Sequence, residues 1–181
     1  MAHASSSDSS SNPFGLAALI LGVLFAFAFV PRIFAGNIAN PGEGKDAPAF
    51  SARIVGSADG AQLKSEELKG KPILLDFWAT WCGPCKAEAP LIESVAKRFK
   101  EDGLVVVGVN TSDSERAAAQ WVKSHSLAYP IVFDEGNDVA EAFGVGSLPT
   151  MIVISKTGKV SAIRKGVTSE AELEKLVRQV L

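Results

Sequence analysis

The chain has 181 residues, 47% of them hydrophobic, and a formal charge of −2 from 18 basic and 20 acidic side chains. That suits one ordinary globular domain with a short appendage and is cramped for two. The even charge balance leaves no electrostatic footprint for nucleic acid, and two cysteines, Cys82 and Cys85, are too few for the disulfide framework of a small secreted fold. His3 and His125 are the only histidines, so four-coordinate zinc would need carboxylates or a second chain. Neither a metal nor a cofactor is expected.

Residues 1–13 are Ser-rich and carry no Lys or Arg, the composition of a disordered tail. Residues 14–30 are then 17 positions without a charged or strongly polar side chain, and residues 33–35 extend the run past Pro31 and Arg32. At about 1.5 Å per residue this just spans a bilayer, with Arg32 reaching the interface. Segment 14–35 is therefore read as a transmembrane anchor. A cleaved signal is its rival, but the leading region lacks positive charge and the apolar run is long for one. Arg32 and Lys45 follow the span and no Lys or Arg precedes it, so the positive-inside rule weakly favours a cytoplasmic domain. Residues 36–46 form a Gly/Pro/polar linker.

From residue 47 onward, short apolar runs alternate with helix-period segments, the pattern of an α/β sheet domain. Strands are expected at 50–54 and 62–64, then at 73–78, where a near-continuous apolar run interrupted by Asp76 suits a central strand. A helix over 82–99 carries Ile92, Val95, Ala96 and Phe99 on one face. A buried strand follows at 104–109, and Ser112 with Glu115 reads as a capping box for a helix ending near 124. A short strand at 131–133, a short helix at 138–143 and a hairpin of 150–154 with 160–165 come next. A closing helix from 169 presents Leu173, Leu176, Val177, Val180 and Leu181.

A Cys-x-x-Cys pair does redox work only if one sulfur is ionised at working pH. Cys82 follows the strand-to-helix loop Ala79-Thr80-Trp81, so its sulfur lies near unpaired N–H groups and the positive end of the helix dipole. Such a place lowers a thiol pKa by one to several units from about 8.5 and marks Cys82 as the candidate nucleophile. Cys85, one turn later, can reach back and is the candidate resolving thiol. Gly83 leaves room for a partner chain, and Pro84 costs little in the first turn, where its missing N–H had no acceptor. Asp76 should lie beneath this helix. Buried and unpaired, it would have a raised pKa and could take the proton that Cys85 must lose; the alternative is a structural carboxylate bonded to backbone. Pro149, in Ser147-Leu148-Pro149-Thr150, precedes a strand, where an X-Pro bond can be cis or trans. Trp81 and Pro149, with Leu148, Gly83 and Pro84, outline a cleft for substrate. Trp121 reads as packing, and Lys86 with Glu88 as a solvated helix face.

The run Leu75-Asp76-Phe77-Trp78-Ala79-Thr80-Trp81-Cys82-Gly83-Pro84-Cys85-Lys86, followed by Ser147-Leu148-Pro149-Thr150, closely resembles thioredoxin-like proteins from about residue 47 to the end. The resemblance implies a thioredoxin fold, a mixed central sheet flanked by helices, with Cys82 as nucleophile, Cys85 resolving, Pro149 cis and Asp76 assisting proton transfer. Cys82 and Pro149 lie further apart than in short thioredoxins, which implies a helix–strand insertion around 114–133. Ala47-Pro48-Ala49-Phe50 and Leu68-Lys69-Gly70-Lys71 add an N-terminal strand extension. Both features look like the TlpA/ResA group of membrane-anchored thioredoxins. That resemblance implies an extracytoplasmic reductase of protein disulfides, often in cytochrome c maturation, with a membrane thiol carrier as electron donor. Two alternatives stand beside it: a peroxiredoxin-like peroxidase, whose usual Pro-x-x-x-Thr-x-x-Cys arrangement is missing, and a binding module that uses the fold without turnover.

Overall fold

Valine and isoleucine dominate the central runs, and their branched side chains pack well on a pleated surface. In the computed structural model, which describes residues 41–181, these runs form one seven-stranded sheet. The strands are β1 (Ser51–Ile54), β2 (Gln62–Lys64), β3 (Ile73–Trp78), β4 (Val105–Asn110), β5 (Ile131–Phe133), β6 (Thr150–Ile154) and β7 (Val160–Lys165). Their order is β2-β1-β5-β4-β3-β6-β7. Strands β3, β4 and β5 run parallel, and the remaining pairs are antiparallel. The expected tail, membrane segment and residues 36–40 of the linker lie outside the described residues. No helix among the described residues is long and apolar enough to cross a membrane.

Among the described residues four α-helices pack on the sheet: α1 (Gly83–Arg98), α2 (Glu115–Ser124), α3 (Asp138–Ala142) and α4 (Glu170–Arg178). All six residues of β3 are buried, as its position between β4 and β6 requires. Alternation along β3 sends Leu74 and Trp78 into one core with Ile92 and Val95 of α1, Ala118 of α2 and Leu173 of α4. Leu75 and Phe77 face a second core with Val139 and Ala140 of α3. Asp76 shares the face of Leu74 and Trp78, beneath α1. Leu74 and Ile92 are fully buried, and truncating either to alanine costs about 2–5 kcal/mol.

The insertion takes a definite place. Helix α2 leads into β5, which pairs with β4 on one side and with β1 on the other, so the strand extension joins the sheet only through inserted residues. At the other edge, the last residues of the expected linker run along β7: Gly44 N–H donates to Val160 O at 2.7 Å, Val160 N–H to Lys45 O at 2.9 Å, and Arg164 Nη1 to Glu43 Oε1 at 3.2 Å.

The capping box expected at Ser112 is corrected. Ser112 has φ of 53°, outside the extended region typical of a serine N-cap, and the cap is Ser114, with extended backbone and a hydroxyl that accepts from Ala117 N at 3.3 Å. The closing helix stops at Arg178, before Val180 and Leu181, although Val180 remains buried.

Candidate active site

Strand β3 ends at Trp78, and three residues later the chain turns into α1. Cys82 is the N-cap of that helix, and its Sγ accepts the Cys85 N–H at 3.2 Å. The sulfur therefore takes the place that a serine or aspartate oxygen usually fills at a helix start, facing a backbone donor and the positive end of the dipole. Cys82 and Cys85 are joined as a disulfide with Cα atoms 5.3 Å apart, and each is only 4% exposed. Pro84 lies in the first turn, where its missing N–H leaves no acceptor unsatisfied. Gly83 borders open space, for a Cβ added there would meet nothing within 4 Å.

The floor of the site is apolar and acidic. Asp76 is buried, and no hydrogen bond to its carboxyl forms among the described residues, so it is not the backbone-bonded structural acid of the alternative reading. Burial, and secondarily the charge of Glu88, push its pKa up to about 7. The neighbouring position on β4 is Gly108, where a Cβ would run into Ile131 Cδ1 and come within 3.2 Å of Trp78 Nε1 and 3.3 Å of the Tyr129 ring. No lysine can stand beside Asp76 there. Burial, with the charges of Asp76 and Glu93 behind it, also drives the Tyr129 hydroxyl upward.

The rim is polar and closely bonded. Asp113 accepts from Thr80 N at 2.5 Å, Thr80 Oγ1 at 3.0 Å, Asn110 Nδ2 at 3.1 Å and Ser114 N at 2.8 Å. Burial would raise its carboxyl, but these donors outweigh that and hold it below the usual carboxylate range. Trp81 stands 63% exposed, with its Nε1 donating to Ser112 O at 2.8 Å. The Leu148–Pro149 peptide bond is cis. Thr150 pairs with Phe77, so Pro149 arrives at the same end of the sheet as Trp78 and the cysteine loop, and Leu148 lines one cavity with Trp81. The substrate-cleft residues expected from sequence thus gather around one disulfide.

Against protein-family models, residues 44–163 match the AhpC/TSA family. The chain belongs to that family. Among relatives, the thiol-disulfide oxidoreductase ResA of Bacillus subtilis is 35% identical over 153 residues, covering 84% of this chain and 83% of its own length. ResA of Halalkalibacterium halodurans is 30% identical over 162 residues, 89% of each chain. Among solved structures, a thiol:disulfide interchange protein of the thioredoxin family from Chlorobium tepidum superposes with a TM-score of 0.67 at 30% identity, covering 75% of this chain and 94% of its own. MTB dsbF, solved in mixed oxidized and reduced forms, gives 0.66 at 31% identity, covering 73% and 95%. Fold and cysteine pair together make this AhpC/TSA member a thiol–disulfide oxidoreductase with a thioredoxin fold.

Two residues of the site escape the sequence reading. Glu88, expected on a solvated face, is 3% exposed: its Oε1 accepts Thr168 N at 2.7 Å and its Oε2 is buried without a partner. Burial raises its pKa and the Thr168 bond draws it back. The spacing Cys85, Glu88, Ile92, Val95 follows the buried stripe of α1, which is the signal that reveals it. Asp113 carries no such signal, since the Thr80 that gives it two of its four donors lies 33 positions away. Trp121 packs as expected, 4.5 Å from Trp78 between ring centroids, with His125 stacked on its outer side.

Proposed function

We propose that this oxidoreductase works as a membrane-tethered reductase of disulfides in extracytoplasmic proteins, apocytochromes c among them, and is recharged by a membrane thiol carrier. The observation that carries the reductive chemistry is Cys82 at the N-cap of α1, its sulfur on the Cys85 N–H and a buried acid of raised pKa below. The tether is supported by the apolar run 14–35, and disulfide exchange as the reaction by the names of the ResA relatives.

In the reduced protein, the Cys82 thiolate attacks one sulfur of the substrate disulfide, and the other substrate sulfur leaves as a thiolate that takes up a proton. A mixed disulfide joins substrate and Cys82. Asp76, as carboxylate, accepts the Cys85 proton, and the Cys85 sulfur attacks Cys82 Sγ to expel the second substrate thiol. Two electrons pass to the substrate, the Cys82–Cys85 disulfide forms, and an external dithiol must reduce it before the next cycle. Trp81, Gly83, Pro84, Leu148 and Pro149 hold the substrate chain beside Cys82. Pro149, lacking an N–H, offers no donor to the sulfurs.

A Cys85→Ser variant tests this, because it leaves Cys82 to attack with nothing to release the product. The expected result is an accumulated mixed disulfide whose partner is an extracytoplasmic protein. A cytoplasmic partner overturns the location. A reduction potential near about −270 mV supports reduction, whereas one near about −120 mV makes the protein an oxidant.

A further inference from the structure

Beside Cys82 lies a pocket of about 270 Å³ that shares Trp81 and Leu148 with the substrate cleft and whose other residues the exchange steps leave unused. Trp81 and the loop Gly146-Ser147-Leu148 line it, and Ala140 and Val145 supply apolar lining. Its neutral polar atoms are largely spent on the protein itself. Asn137 Oδ1 accepts from Ser112 N at 2.7 Å, Thr111 Oγ1 at 2.9 Å and Ser112 Oγ at 3.2 Å, and the Ser112 carbonyl is taken by Trp81 Nε1.

One charge remains. Glu141 lines the pocket, no Lys, Arg or His lines it with Glu141, and among the described residues its carboxylate makes neither an ion pair nor a hydrogen bond. The Trp81 indole is anchored through its edge to Ser112, so the exposed ring is held in place. An anion, an aromatic ring and an apolar lining make a complementary set for a long cationic side chain, whose stem covers the apolar surface while its head meets the carboxylate and the ring. A neutral side chain gains only the lining, and an acidic one meets a like charge.

We propose that this pocket takes a lysine or arginine side chain of the substrate, one or two residues from its disulfide cysteine, with Glu141 as the anionic partner. The placement follows from the chain: Trp81, which lines the pocket, directly precedes Cys82, and Leu148 directly precedes the cis Pro149. The proposal rests on the reductase reading and narrows its substrate class.

The test uses the reduced full-length chain and two disulfide-closed peptides that differ only in arginine or its neutral isostere citrulline next to one cysteine. Each rate is divided by that protein's rate on a small uncharged disulfide. The unaltered protein is expected to favour the arginine peptide about tenfold. Glu141→Gln should bring the ratio to about two, and Glu141→Lys should reverse it. Equal rates in the unaltered protein overturn the proposal, as does a preference that survives Glu141→Lys. A preference undiminished when the arginine is moved several residues from the cysteine also overturns it, because that reports net charge and not the pocket. If the unaltered protein reduces none of the three disulfides, the reductase reading itself falls. If it reduces all three without discrimination, only the pocket falls.

Discussion

Two carboxylates flank the start of α1, and they are opposites. Asp113 at the rim takes four donors and is held below the usual range, whereas Asp76 on the floor takes none and is pushed up to about 7. A fully bonded carboxylate is held as the charged form and fixes shape; an unbonded one, buried on the face of β3 beneath α1, is left free to gain and lose a proton. The same residue type is thus a hydrogen-bonded brace at the rim and, in the proposed mechanism, the proton acceptor on the floor.

The strongest way to break this comparison is Asp76→Asn. Release of the mixed disulfide should slow about a hundredfold, and the rise in its rate through pH 7 should disappear. Stability should move the other way. Folded Asp76 keeps its proton up to about pH 7, whereas an unfolded aspartate loses it near 3.8. Between those values the folded state binds the extra proton, so stability falls as pH rises through the window and stays lowest above it. Asp76→Asn should therefore stabilise the protein at pH 8 by on the order of 4 kcal/mol, and hardly at all at pH 3.5. Denaturant unfolding at the two pH values checks it; equal shifts at both would make Asp76 an ordinary buried polar residue.

At the rim the sign reverses. Asp113→Ala should cost about 2–3 kcal/mol, because Thr80, Asn110 and Ser114 donors lose a charged acceptor. That contribution is complete above the ordinary carboxylate range and fades as pH drops through the lowered pKa of the folded state. A loss of equal size at all pH values would show that the carboxylate charge is irrelevant to the brace. Gly108→Ala should cost somewhat less, about 1–2 kcal/mol, since the Ile131 tip can rotate away while the Trp78 and Tyr129 rings cannot. Thermal unfolding measures it.

Sequence made the floor more legible than the rim. Asp76 stands out because a charge interrupts an apolar strand, and Cys82 because its spacing to Cys85 falls where a strand run gives way to a helical period. Both signals are local. Asp113 is hidden because Thr80 lies 33 positions upstream and no periodicity links them. Glu88 was obscured by its type: a glutamate beside Lys86 reads as solvated, and its bonding partner Thr168 lies 80 positions downstream. Ser112 misled for a related reason. The Ser-x-x-Glu pattern fits a cap, but Asn137, brought in from the segment before α3, captures both its N–H and its hydroxyl and holds it in the left-handed region. The sheet order depended on tertiary pairing too, since β5 inserts between β4 and β1 although β1 opens the domain.

The smallest predicted effect separates the two causes of the Asp76 shift. Burial is the larger, and the Glu88 charge the lesser. Glu88→Gln keeps an oxygen for the Thr168 N–H and removes the charge, so the Asp76 midpoint should drop from about 7 by less than one unit. A carbon-detected NMR titration of the Asp76 carboxyl reads this directly, and the pH at which mixed-disulfide release accelerates should move down with it. If both midpoints stay where they are, Glu88 is uncharged while Asp76 titrates, and the floor holds one working acid and not a coupled pair. If the NMR midpoint moves and the release profile does not, Asp76 titrates beneath the helix without touching the rate, and the proton accepted from Cys85 must go elsewhere.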